Sequence, residues 1–409
     1  MTDRRSFLGS LGALGALGLA PACAHPAPPS RPGGVRRGLA PGDDFLFDPA
    51  LTYLQTGSLG PTPRPVIEHT IAIWKQLETD PTTLGYGELE HGMETVRGKA
   101  AALLGCTLDQ VVMTNCTTEG INWAAQGVTL VAGDRILTTD QEHPGGRVGW
   151  DFVAKRYGAA IDVVAIPPGE NDAGAIVERF AKAITPRTTV LSFSHVLSST
   201  GLRMPVAELS ALARKANAIA IVDGAQAAGG IAVDVKALGC HVYATSGHKW
   251  LLGPKGTGLL YLSDELGDRM KVIALQDGRA VYTHSSGVCS IPSVHGLGAA
   301  IDYINAFGIA QIEAHNLELH RYAHERLSAL KKLRIVSPAA GPLASPLLTY
   351  VLPDSIPSGD LSQRIYKSHR VEVKVVPKEW LNGQRVSTHL FNATSDIDRL
   401  VEALEAALA

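Results

Sequence analysis

The sequence predicts an α/β fold, a mostly parallel sheet flanked by helices, with a smaller α+β domain at the C-terminus. Three observations carry that prediction. From Val111 onward, short β-branched runs alternate with amphipathic stretches, as a sheet with helical crossovers requires. Near Gly298 this texture gives way to one long helical pattern, followed by two more strand-like runs and a closing helix. Finally, 409 residues exceed the usual size of one domain, so two are expected.

Along the chain, residues 1–24 stand outside the fold. "TDRRSFLGSLGALGALGLAPACA" opens on Arg4 and Arg5, continues in a 14-residue uncharged run over 7–20 and closes on small residues. That run is too short for a membrane span and has the layout of a secretory signal, so no transmembrane span is expected in the mature protein. The arginine pair resembles the twin-arginine export motif, which makes the export machinery an expected partner and the periplasm the expected location. Cleavage after Ala24 fits the pattern Ala22-x-Ala24. The alternative is a lipid anchor through Cys23, although Ala20-Pro21-Ala22 lacks the usual leucine of a lipobox. Residues 25–40, rich in Pro, Ala and Arg, read as a flexible tether.

Residues 41–300 are expected to form the large domain together with an N-terminal segment. Its strands are "VVMT" (111–114), "RILTT" (135–139), "IDVVAI" (161–166), "TTVLSFS" (188–194), "AIAIVD" (218–223) and "GLLYL" (258–262), with one further crossover and strand before the last. Helices are expected over 118–131, 148–157, 175–183 and 206–216. The small domain, 301–409, takes most of the helical pattern 299–333, two strands and the closing helix "DIDRLVEALEAALA", and is joined by the segment around 40–70.

Charge and cysteines exclude several function classes. Five of the 37 basic residues and one of the 39 acidic residues precede residue 38, which leaves 32 basic against 38 acidic in the body. Such a balance argues against nucleic-acid binding. The cysteines, Cys23, Cys106, Cys116, Cys240 and Cys289, form no CxxC pair and no metal-ligand spacing, so neither a disulfide framework nor a zinc site is expected.

Ligands of open α/β sheets gather at the carboxyl ends of the strands. After the first strand, "TNCTTEGINW" places Thr117 and Thr118 at a helix start, where they either face a phosphate or simply cap the helix. After the second, His143 precedes a proline, where an imidazole face can stack on a flat ring or serve structure alone. The fifth strand ends in Asp223 behind three apolar residues. A carboxylate carried so near the core needs a cationic partner such as a pyridinium nitrogen, with Gln226 three residues on as a donor to a ring oxygen. Lys249, in "ATSGHKWLLGPKGTG", sits among small and polar residues; a lysine desolvated there forms Schiff bases. Phosphate cradle, stacking histidine, carboxylate and lysine are together the requirements of pyridoxal 5′-phosphate.

From "YLQTGSLGPTPRPV" to the C-terminus, and most specifically in "SGHKWLLGPKGTGLLY", the chain resembles the class V aminotransferases of fold type I, a superfamily that includes cysteine desulfurases, isopenicillin N epimerase-like proteins and related lyases. The resemblance implies a homodimeric, pyridoxal-phosphate-dependent enzyme with the internal aldimine on Lys249. It pairs Asp223 with the pyridine nitrogen, brings Gln226 to the phenolic oxygen and stacks His143 on the ring. Thr117, Thr118, Ser246 and His248 would hold the phosphate, and Ser198 stands where many relatives use asparagine toward the ring oxygen. "GQRVSTHLFNATSDIDRL" is similar to the family's "RxSxxxYNT" region, so Arg385 would grip a substrate carboxylate. Departures matter as well. "HRVEVKVVP" (369–377) has no cysteine where desulfurases carry their nucleophile, so desulfuration by that route is not expected. "SSGVCSIP" has Val288 where a neighbouring subunit's phosphate usually finds a hydroxyl, leaving Ser286 or Ser290 to replace it. The expected function is therefore an aminotransferase-type enzyme acting at the α-carbon of an amino acid or an amino-acid-containing compound. Epimerisation and carbon–sulfur lysis are the enzymatic alternatives, and a cofactor-binding protein without turnover is the non-enzymatic one. A nucleotide-binding oxidoreductase lacks the necessary GxGxxG after the first strand.

Overall fold

Thirteen strands, in chain order, organise the described residues of the computed structural model, 38–409. They are β1 (Thr52–Tyr53), β2 (Val111–Thr114), β3 (Arg135–Thr139), β4 (Ala160–Val164), β5 (Thr188–Ser194), β6 (Ile219–Asp223), β7 (Val242–Ser246), β8 (Gly258–Leu262), β9 (Arg334–Ile335), β10 (Leu347–Val351), β11 (Val371–Glu372), β12 (Lys374–Val376) and β13 (Gly383–Ser387). The proposed signal, most of the tether and Cys23 lie outside the described residues. Among the described residues, no helix is long and apolar enough to cross a membrane.

Seven strands form one sheet in the order β2-β8-β7-β6-β5-β3-β4. The contacts among β3, β4, β5, β6 and β7 are parallel, and β8 alone runs against its two neighbours. β6 and β7 are buried along their whole length, which is why they read as nearly unbroken apolar runs rather than as alternation. Their side chains feed two cores. Ala220 and Val222 join Leu191, Phe193 and Tyr243 on one face, while Ile219 and Ile221 join Val190, Ala244 and Trp150 on the other. Trp150 satisfies its indole N–H by donating to Ser192 Oγ at 2.8 Å, the partner a fully buried tryptophan needs.

Four predicted strands match the observed bounds at both ends, and the predicted helices lie within a few residues of Thr117–Gly127, Pro144–Tyr157, Ala173–Ala183 and Val206–Lys215. The long helical pattern is two helices, Ile291–Phe307 and Ile309–Ser328, because Gly308 at φ 81° leaves the helical region between them. The first of these runs through position 300, so the expected bound between the domains falls inside a helix. The C-terminal part holds more strands than the two expected. β12-β13-β10-β9 make a four-stranded sheet, and β1 pairs in parallel with β11. Strands of two or three residues carry too little pattern to be read from sequence. Through β1 and the Gln55–Ser387 bridge, the segment before residue 60 is tied to the C-terminal sheet.

Candidate active site

The carboxyl ends of β5, β6 and β7, together with the turns after β2 and β3, open on a cavity of about 550 Å³. Ten residues singled out from the sequence line it: Thr117, Thr118, His143, Ser198, Asp223, Gln226, Ser246, His248, Lys249 and Arg385.

Lys249 is carried by the turn that leaves β7. Burial lowers its ammonium to a pKa of about 8, against Asp223, which favours the charge, and with Arg385, which opposes it. Asp223 ends β6, and its Oδ1 accepts the N–H of Ala225 at 2.9 Å. Oδ2 lies close to the backbone of Gly146, where an added Cβ would approach it to 2.9 Å. His143 caps the helix Pro144–Tyr157, its Nδ1 accepting the N–H of Gly145 at 3.1 Å. Burial, reinforced by Lys249, holds that imidazole below its ordinary pKa; the neutral ring with an accepting Nδ1 carries its proton on Nε2.

Neither threonine caps the helix Thr117–Gly127. The cap is Cys116, without a side-chain bond, and both threonines sit inside the first turn. Ser246 Oγ accepts the Thr117 N–H at 3.0 Å and pairs with Thr117 Oγ at 2.7 Å. A helix start with its remaining N–H groups uncapped is a ready anion site. Gln226 donates to Gly57 O at 2.8 Å and accepts the Trp250 indole N–H at 3.0 Å, which leaves one amide N–H for a ring oxygen. Arg385 donates through Nη1 to Ser198 O at 2.7 Å and faces Ser58 Oγ at 3.4 Å, so Ser198 contributes its backbone here. The guanidinium is buried and its Nε has no partner; burial pulls its pKa down to about 10. His248 Nδ1 is likewise buried without a partner.

These features fit pyridoxal phosphate. A readily deprotonated amine stands with a carboxylate, a neutral flat ring and an uncapped helix start, and two buried polar atoms wait for partners. Backbone closeness supports the same fit. A Cβ on Gly57 would meet Gln226 Oε1 at 2.8 Å and Arg385 Nη2 at 3.0 Å, so the N-terminal segment passes directly against both site side chains.

Sequence reasoning missed several neighbours. Glu142, directly before His143, is half-buried and accepts from Thr139 Oγ and from Ser194 Oγ, each at 2.6 Å. Burial pushes its carboxyl up to about 7 despite those bonds, and Asp223 adds to the rise. Lys374, from the segment noted only for its lack of cysteine, and Trp380 just after it also line the cavity, as do Gly57, Ser58 and Cys116. A lysine breaking the valine run of "VEVKVVP" was the available signal for Lys374. Ser286, Val288 and Ser290 line a separate cavity of about 230 Å³, and the Ser286 hydroxyl is engaged by Thr283.

Comparison with known proteins agrees with this geometry. The family described as Aminotransferase class-V matches residues 52–400. An isopenicillin N epimerase of Amycolatopsis lactamdurans is 31% identical over 387 residues, covering 89% of this chain and 96% of the relative. A cysteine desulfurase of Salmonella gallinarum is 32% identical over 320 residues, covering 71% of this chain and 75% of the relative. Among solved structures, a C-DES variant with glycine covalently linked to its PLP cofactor shares the fold, with a TM-score of 0.78 and 21% identity over 87% of this chain and 96% of that one. With cavity, fold and sequence in agreement, the chain belongs to the class V aminotransferase family of pyridoxal-phosphate-dependent enzymes.

Proposed function

We propose that the enzyme acts at the α-carbon of an amino acid or an amino-acid-containing compound, as an aminotransferase-type catalyst. One observation carries the reading: a buried amine, a carboxylate and a buried guanidinium without an acidic partner converge on a single cavity. When bound, pyridoxal phosphate supplies the electron sink for bonds at the α-carbon. Lys249 would hold the cofactor, and its amine, with a pKa of about 8, is suited to moving the α-proton near working pH. Asp223 would hold a proton at the cofactor's ring nitrogen, and His143 would pack against its ring. Thr117, Thr118, Ser246 and His248 hold the phosphate, with the uncapped helix start as the electrostatic anchor. Arg385 presents its fork to the substrate carboxylate, positioned by Ser198 O.

A thiolate step is no part of this proposal. The segment 369–377 contains no cysteine, and the cysteine lining the cavity, Cys116, sits at the helix start among the phosphate-side residues. Epimerisation is the second reading, favoured by likeness to an isopenicillin N epimerase over nearly its whole length. The test is a screen of L- and D-amino acids with purified holoenzyme, following the cofactor absorbance together with keto-acid, enantiomer and sulfide products. Keto acid supports the first reading and inverted amino acid the second. Sulfide released from cysteine after replacement of Cys116 by alanine marks carbon–sulfur lysis, whereas release of sulfur with alanine as co-product that is lost in that variant overturns the exclusion of a thiolate step. Borohydride reduction should place the label on Lys249, and a label on Lys255 overturns the assignment of the lysine.

A further inference from the structure

The cavity carries more positive charge than an α-carboxylate and the cofactor site explain. Asp223 is the acidic side chain that lines it, whereas Lys249, Lys374 and Arg385 are all cationic. Lys374 lies on β12 directly across from Arg385 on β13, and residues so paired in an antiparallel ladder project from the same face of the sheet. Two like charges in that relation repel. Among the described residues, no acidic side chain lies within ion-pairing distance of the Lys374 ammonium to offset the repulsion. Partial burial and the field of Arg385 both hold the ammonium below its ordinary pKa, and its own field reaches Lys249 and His143 at the cavity floor. Around it, Val376, Pro377 and Trp380 provide an apolar wall at the rim.

We propose that Lys374 is a specificity residue, the second anchor of a substrate that carries two carboxylates: one at the α-position on Arg385, and one at the end of an aliphatic side chain that crosses the Trp380 wall to Lys374. An anion bound there would neutralise the cross-strand repulsion, and the methylene spacer would cover the apolar rim. This rests on the reading of the cavity as an amino-acid site with Arg385 as its α-carboxylate anchor.

The test compares L-glutamate with L-glutamine, and L-2-aminoadipate with L-norleucine, on wild-type holoenzyme and on the Lys374→Met, Lys374→Arg and Lys374→Glu variants. Two quantities are measured: the dissociation constant from the change in cofactor absorbance on titration, and kcat/KM from product formation. Wild-type enzyme should favour the diacid of at least one pair by about tenfold or more, as a charge-assisted contact implies. The ratio should collapse in Lys374→Met, mainly through KM and the dissociation constant, persist in Lys374→Arg and reverse in Lys374→Glu. A wild-type preference absent in both pairs, or one that survives Lys374→Met, overturns the second anchor and leaves the amino-acid site standing. Wild-type enzyme that neither binds nor converts any amino acid overturns the underlying reading, and this assignment with it.

Discussion

Lys249 shows how one side chain's environment becomes chemistry. An exposed lysine is almost wholly charged at neutral pH, whereas burial brings this one to about 8, so a usable fraction of neutral amine exists near working pH. Since the neutral amine is the attacking form, covalent capture of pyridoxal phosphate by the apoprotein should accelerate as pH rises and level off above about 8. Stopped-flow absorbance over a pH series checks this, and a midpoint near that of an ordinary lysine would sink it. Asp223 was legible in the sequence because it ends an apolar run where a charge needs a reason, and Lys249 because small and polar residues crowd around it. Glu142 and Lys374 were not, because what distinguishes them is what packs above and across from them.

At the level of elements, the lysine turn is held under tension by its neighbours. Leu252 is fully buried at φ 57°, a left-handed conformation that costs a branched residue energy. It is kept there by its N–H to Lys249 O at 3.2 Å and by the bonds Gly253 N to Gly247 O at 2.8 Å and Gly247 N to Thr257 O at 2.7 Å. The N-terminal segment closes over this turn. Gly60 donates to His248 O at 2.8 Å, and a Cβ on Gly60 would stand 1.9 Å from Lys249 O. Gly60→Ala must therefore displace the turn, at about 1–3 kcal/mol for an overpacked contact. We expect a lower melting temperature and faster cofactor loss on dialysis; unchanged values of both would mean that the two segments are not in register. In "YLQTGSLGP" the glycines were visible, but their partner, about 190 residues away, was not.

For the whole molecule, we propose that the chain folds and takes up its cofactor before export, a reading supported by Arg4, Arg5 and the weakly apolar run behind them. Arg4→Lys combined with Arg5→Lys should leave active holoenzyme in the cytoplasm, and normal periplasmic amounts on cell fractionation would refute the route. By itself the sequence determined the α/β class and the parallel strands, because buried strands leave local signatures, and it pointed to Asp223 and Lys249 by their surroundings, while Ser198, Ser246, His248 and Arg385 came from the family resemblance. Only the tertiary structure decided that β8 runs antiparallel, that the C-terminal sheet has four short strands, and that Lys374 and Arg385 face one another across β12 and β13. Strand direction and register follow from how the strands pack into the sheet: Lys374 and Arg385 are close in the chain, yet composition alone does not set which residue of β12 stands across from which of β13.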